Sequence, residues 1–396
     1  MTVRSARLDR LPAYTVAELA ARKRRLLADG VDVIDLSAGD VDFPPPEAAV
    51  EALREAVGDP RMSRYPHQVG LLEFREAAAN YMERRFGVAV DPLTEVLPLI
   101  GSKEGLSHLP LAVVNPGDVC VLPDPGYPAY IGGAVIAEAD VERVPLVAEK
   151  EFLVELGDLP ADRLDAVRLV YLNYPNNPTA AVAPLDYLKR TVEVCLRRGI
   201  VLAYDNPYCE ITFDGYTAPS IFEIEGAREV ALEFHSASKS FSMTGWRLGW
   251  VVGRPELISA LTKVKTYVDT GVFLAVQKAG AAVLDRAEEL VAPVRERLAE
   301  RRDAAVRALD AIGLGVEKPK ATMYLWVPLP KGTTSVGFTR EVLEHEGVLL
   351  LPGTAFGEGG EGYFRIALTV ESERVAEAVQ RVGRTLERMG AAGARL

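Results

Sequence analysis

Cysteine is scarce: among 396 residues only Cys120, Cys195 and Cys209 occur, widely spaced and odd in number. They supply neither a metal pattern nor a disulfide framework, and a reducing cytoplasm is the expected compartment. No apolar run nears the roughly 18 residues that a membrane span needs. Arg, Lys, Asp and Glu interrupt the N-terminal stretch, so no secretory core is expected there. A basic excess is missing too, since 45 Lys and Arg face 56 Asp and Glu for a net charge of −11. That balance disfavours nucleic acid, whose phosphates require a basic surface. The histidines His67, His108, His235 and His345 share no ligand spacing, and no metal is expected. No internal repeat or low-complexity tract stands out.

What the chain does have is core material: 48% hydrophobic and 26% charged residues, the balance of a globular protein. Its length suggests two or three units of typical domain size. Helical periodicity is read over 16–28, 46–57 and 71–85, around a turn-rich stretch at 39–46 where consecutive prolines forbid helix. From about residue 95, short apolar runs at 96–100, 119–122, 169–172, 200–204, 230–234 and 248–252 alternate with helical segments. Buried strands between helices predict an α/β fold with a mainly parallel central sheet covered on both faces. A long charged helix to 312, interrupted at Pro293, precedes strands at 324–329, 348–351 and 364–368 and a closing helix over 371–389. The expected organisation is an N-terminal arm and part of a small domain over 1–45, a large domain over 46–290, and a small α+β domain over 291–396.

Two patterns carry little. Gly357 to Gly362 fit G-x-G-x-x-G, but they precede a strand instead of joining a strand to a helix, so a flexible loop is expected. Asn177-Pro178-Thr179 is no glycosylation acceptor, because proline occupies its centre.

The chemistry concentrates in Ser236-Ala237-Ser238-Lys239-Ser240-Phe241-Ser242-Met243-Thr244-Gly245-Trp246-Arg247, between two expected strands. Hydroxyls and a guanidinium can hold a phosphate by donated hydrogen bonds and charge. A lysine beside that phosphate can form a Schiff base with a carbonyl. Ile100-Gly101-Ser102-Lys103-Glu104-Gly105 follows a strand and opens a helix, where free N–H groups make a phosphate cradle. Asp205, in Tyr204-Asp205-Asn206-Pro207-Tyr208, ends a buried strand, where a carboxylate needs a cationic partner or serves as a helix cap. Arg365, in Phe364-Arg365-Ile366-Ala367, stands among apolar residues and requires an anion, either a ligand carboxylate or a structural salt bridge.

Together these motifs resemble the fold-type I pyridoxal-phosphate aminotransferases of class I/II over nearly the whole chain, from Leu36-Ser37-Ala38-Gly39-Asp40 to Arg365. The resemblance implies pyridoxal 5′-phosphate as cofactor and Lys239 as the catalytic residue that carries it. It implies Ser102, Lys103, Ser236, Ser238 and Arg247 around the phosphate, and Tyr127, in Pro123-Asp124-Pro125-Gly126-Tyr127-Pro128, stacked on the ring. Asn177 and Tyr208 would meet the phenolic oxygen, and Asp205 the protonated ring nitrogen. Arg365 and the Gly39 backbone would hold the substrate α-carboxylate, with Tyr14, Tyr324 and Lys103 lining the side-chain pocket. Tyr65 matches a tyrosine that reaches the neighbouring subunit's cofactor phosphate, implying a homodimer with shared sites. Ala180 stands where the family usually has glycine after Thr179.

In detailed wording, 99–105, 205–211 and 233–236 look most like the LL-diaminopimelate aminotransferase branch, which pairs with 2-oxoglutarate and glutamate in lysine biosynthesis. An aspartate, alanine or broad-range aminotransferase is the alternative, and a pyridoxal-phosphate β-lyase a further one. A DNA-binding regulator on this fold is disfavoured by the acidic charge and by enzyme motifs that begin near residue 35.

Overall fold

The computed structural model describes residues 5–12 and 15–390. A short strand, β1 (Ile34–Asp35), follows the first long helix, Thr15–Ala28. Seven strands then build the central sheet: β2 (Val96–Leu99), β3 (Val119–Asp124), β4 (Asp140–Pro145), β5 (Val167–Asn173), β6 (Val201–Asp205), β7 (Ala231–Ser236) and β8 (Gly249–Gly253). Their order is β2-β8-β7-β6-β5-β3-β4. β8 runs antiparallel to both neighbours, and the remaining pairs are parallel.

The interior strands are largely apolar because both faces are covered, although β7 also buries Glu233 and His235. One face packs Leu97, Leu106, Leu122, Tyr171 and Phe234 together, the other Val121, Val170, Leu172, Leu188 and Leu202. β4 does not announce itself in the sequence. It is an edge strand, Asp-Val-Glu-Arg-Val-Pro, with only Val144 fully buried, so polar side chains are tolerated on it.

Beyond the sheet, β9 (Tyr324–Pro328), β11 (Leu351–Pro352) and β12 (Tyr363–Ala367) form an antiparallel sheet in the order β11-β12-β9. β10 (Val348–Leu349) pairs with β1 in parallel, so a strand near residue 34 is stitched to one near 348. One hydrophobic cluster accordingly joins Ile34, Leu36, Val41 and Phe43 to Leu298, Leu325, Phe338 and Ile366. The closing helix, Ser372–Arg388, buries Val375, Ala378, Val379, Val382 and Leu386, the i, i+3, i+4, i+7 stripe of an amphipathic helix. Pro293 does not interrupt its helix, which runs continuously over Ala287–Ala311. Proline there forfeits one hydrogen bond, to the Glu289 carbonyl four residues earlier, and the helix carries on through it.

The chain topology aims the carboxyl ends of the parallel strands at one region. β3 ends in Asp124, β5 in Asn173, β6 in Asp205 and β7 in Ser236. Ligands of open α/β sheets sit outside such ends.

Candidate active site

A cleft of about 520 Å³ opens over these strand ends. It is lined by Gly39, Ser102, Lys103, Tyr127, Asn177, Asp205, Tyr208, Ser236, Ser238, Lys239, Arg247, Tyr324 and Arg365. Residues scattered over the whole sequence thus share one wall. Two expected residues are not among them. Tyr65 is 74% exposed, on the loop before the helix Leu72–Phe86, and Tyr14 lies outside the described residues.

Lys239 rides on a single turn, Ala237–Ser240, between β7 and β8, whose N-cap Ser236 accepts from the Ser238 N–H. The Lys239 ammonium donates to the carbonyl oxygen of Gly39. Gly39 must lack a side chain, because a Cβ there would lie 2.0 Å from the Tyr324 hydroxyl.

Asp205 is buried, and burial drives its pKa up to about 7 against the pull of a 2.6 Å hydrogen bond donated by Tyr130 to Oδ2. Its Oδ1 has no partner among the described residues. It does not act as a helix cap. An isolated buried carboxylate is costly, and a cation placed beside Oδ1 removes the cost. Tyr130 belongs to no motif read from the sequence. It sits one helical turn after Tyr127 in the helix Pro128–Ile136 and stacks on Tyr171 at 4.6 Å between centroids. An aromatic at i+3 from a ring-stacking tyrosine is the signal that could have found it, since such residues share a face.

Asn173 likewise escapes a motif search. Its Nδ2 donates to the Asp205 carbonyl at 2.7 Å, and its Oδ1 accepts from the Asn177 N–H at 2.7 Å, joining two site segments. The turn that follows is closed by Ala180 N–H to Asn176 C=O at 3.0 Å, with Ala180 at φ 61°. The left-handed geometry that suits glycine is therefore present, carried by alanine.

Arg365 is buried, and burial lowers its pKa. Nη1 donates to Asn177 Oδ1 at 2.7 Å and Nη2 to the Ser37 carbonyl at 2.5 Å. Its guanidinium carbon lies 4.1 Å from the Tyr324 ring centroid and 4.7 Å from that of Phe356, while Nε has no partner among the described residues. A cation clamped between rings and neutral oxygens still lacks an anion among the described residues. Tyr324 and Tyr208 hydroxyls meet at 3.1 Å. Burial raises the Tyr208 hydroxyl; in Tyr324 burial is outweighed by the nearby Arg365 and Lys239 charges, which hold it below its ordinary value.

The phosphate-type cradle is built at the start of the helix Ser102–Val113. Gly101, at φ 71°, is its N-cap, and a Cβ there would come within 2.3 Å of Arg247 Nη2, which places the guanidinium against the turn. Glu104 braces it from behind, accepting from the Ile100 N–H at 3.0 Å and from Lys265 Nζ at 2.8 Å. Glu104, His108 and Asp269 bring their ligand atoms within 4.8 Å of one another, but the buried Lys265 ammonium already occupies the cation's place there.

These features fit pyridoxal phosphate. An unpartnered carboxylate stands ready for a ring cation, three serines and Arg247 surround a helix N-terminus for a phosphate, and Lys239 lies between them.

Residues 31–382 match the family described as aminotransferase class I and II. The LL-diaminopimelate aminotransferase of Moorella thermoacetica is 45% identical over 96% of this chain and 97% of its own. That of Aquifex aeolicus is 46% identical over 96% and 98%. Among solved structures, a probable N-succinyldiaminopimelate aminotransferase from Thermus thermophilus superposes with TM-score 0.89 at 38% identity, covering 94% of this chain and all of that one. Substrate-bound BacF from Bacillus subtilis gives 0.93 at 33%, covering 97% and 98%. A near-complete family match, on a site built for a phosphorylated cationic ring, makes this chain a pyridoxal-phosphate-dependent transaminase of the class I and II aminotransferase family.

Proposed function

We propose that the enzyme moves an amino group between LL-diaminopimelate and the 2-oxoglutarate/glutamate pair. The observation that carries the substrate choice is the 45% and 46% identity, over nearly the whole chain, to two proteins named for that amino acid. The three cysteines are free and buried, in keeping with a reducing cytoplasm.

When bound, the cofactor supplies an aldehyde that captures amino groups and a cationic ring that draws electrons from the substrate Cα. Each residue then has a task. Arg365 takes the substrate α-carboxylate with its two terminal nitrogens, exchanging neutral oxygens for an anion, and the Gly39 backbone closes on the same group. With the cofactor bound, the Lys239 amine would be the base that removes the substrate Cα proton and the acid that returns one. Asp205, its Oδ2 held by Tyr130, would keep the ring nitrogen protonated. Tyr208 and the Asn177 amide nitrogen would donate to the cofactor's ring oxygen, and Tyr127 would pack against the ring. Ser102, Lys103, Ser236, Ser238 and Arg247 would hold the phosphate, and Tyr14 and Tyr324 would serve the side-chain pocket with Lys103.

We also propose a homodimer in which Tyr65 serves the partner's phosphate. Support comes from an exposed apolar surface beside it: Val69, Leu72, Tyr267, Val268 and Phe273 are 40–85% exposed, and the two segments touch through the Gln68 N–H and the Thr270 carbonyl at 3.2 Å. Domain boundaries near 45 and 290 complete the reading, with residues 1–45 contributing to the small domain. Sedimentation of the holoenzyme tests the assembly: a monomer overturns it.

The activity test is an amino-donor panel with 2-oxoglutarate: LL-diaminopimelate, its N-succinyl derivative, aspartate, alanine and aromatic amino acids. LL-diaminopimelate should give the highest kcat/KM. Robust transfer from others without it overturns the substrate, and ammonia release without an oxo acid overturns transamination.

A further inference from the structure

The glycine-rich segment at 357–362 is no free loop: Glu358–Gly360 form a 3₁₀ turn docked on the end of β3. Gly359 N–H donates to Asp124 Oδ1 at 3.0 Å, and Gly126 N–H to the Phe356 carbonyl at 2.8 Å. At Gly357, φ 131°, a Cβ would lie 2.0 Å from Asp124 Oδ1 and 3.4 Å from Arg143 Nη1. Only glycine allows this approach, which sets the residue before Glu358 against the Arg143 guanidinium.

Both side chains line the mouth of the active-site cleft, on elements far apart in sequence. Arg143 projects from β4, in register with the cleft residue Leu122. Its ionic partner, Asp124 Oδ2, stands at 3.5 Å, longer than the roughly 2.7–2.9 Å of a charge-assisted bond. Glu358 has no ion pair among the described residues, and its charge is felt at Asp124, where it opposes Arg143. A cation and an anion that line one cleft and both act on Asp124, with no ion pair between them among the described residues, match an amino acid end carrying a carboxylate and an ammonium.

We propose that Arg143 and Glu358 form the subsite for the far end of the amino-acid substrate, Arg143 binding a distal carboxylate and Glu358 a distal ammonium. This rests on the proposed diamino-dicarboxylate substrate for Glu358, but for Arg143 only on a substrate with a second carboxylate. Glutamate and 2-oxoglutarate engage Arg143 alone; LL-diaminopimelate engages both. Masking the distal amine with an acyl group removes the charge that Glu358 reads.

The test uses the holoenzyme and its Arg143→Gln and Glu358→Gln variants. Glutarate and pentanoate are measured as competitive inhibitors, and LL-diaminopimelate and glutamate as amino donors. In Arg143→Gln the ratio of the glutarate to the pentanoate inhibition constant should rise about 10- to 100-fold, the loss of one charge-assisted interaction. In Glu358→Gln the kcat/KM ratio of LL-diaminopimelate to glutamate should fall about 10-fold or more, with the loss in KM. Equal weakening of glutarate and pentanoate overturns the Arg143 assignment. A Glu358→Gln loss shared equally by both donors, or none, overturns the Glu358 assignment. Failure of the wild type to use LL-diaminopimelate refutes the substrate and the role of Glu358 with it, while the inhibitor ratio still decides Arg143.

Discussion

Asp205 makes a quantitative demand on the protein without its cofactor. Its carboxyl is raised from an ordinary 3.8 to about 7, chiefly by burial, with only the Tyr130 hydroxyl to counter it. The folded apoprotein therefore binds this proton more tightly than the unfolded chain. Its stabilising contribution is whole below about pH 4 and is lost as pH rises toward 7, about 4 kcal/mol in all. Asp205→Asn keeps a partner for Tyr130 and cannot ionise. Between about pH 5 and 8, wild-type apoprotein should lose roughly 2–3 kcal/mol relative to the Asn variant, read from paired urea unfolding curves. With cofactor bound the order should reverse at about pH 8, because the anion then faces a cationic ring nitrogen and the amide cannot. Parallel pH dependences for the two apoproteins would refute the idea that Asp205 is an unpaired buried acid waiting for a cation.

Other outcomes follow from single contacts. Lys239→Ala should abolish turnover and the visible absorbance of the cofactor, and an active, yellow variant would remove Lys239 from its role. Tyr130→Phe deletes the hydrogen bond that the Asp205 carboxylate accepts among the described residues and should weaken cofactor binding about 10-fold or more by spectral titration. Gly39→Ala inserts a carbon 2.0 Å from the Tyr324 hydroxyl, so kcat/KM should fall at least about 100-fold while the circular dichroism spectrum is retained. Ala180→Gly relieves left-handed strain of about 1–2 kcal/mol and returns part of it as unfolded-state entropy, for a net gain of about 0.5–1 kcal/mol in urea unfolding.

The sequence is most legible where one cause dominates. Strands β5 and β6 are covered on both faces and their apolar runs mark them, whereas β7 buries Glu233 and His235 between its apolar residues. β4 has one neighbour and an open edge, so its sequence keeps polar residues and its strand character shows only in pairing. The site divides in the same way. Lys239, Asp205 and Arg365 lie in local motifs and can be named, whereas Tyr130 and Asn173 matter through a partner 75 and 32 residues away, at Asp205. The glycines at 357–362 read as a loop in sequence because their constraint is the approach of Asp124, 235 residues before Gly359.

The contacts of Arg365 fix when, during synthesis, this enzyme can become competent. Its two terminal nitrogens bond groups 188 and 328 residues earlier, at Asn177 and Ser37, and β1 waits likewise for β10. A nascent chain emerging from the ribosome at about 5–20 residues per second can assemble the central sheet while its substrate anchor is still untranslated. The large-domain cradle therefore gains its substrate anchor only when β12 arrives.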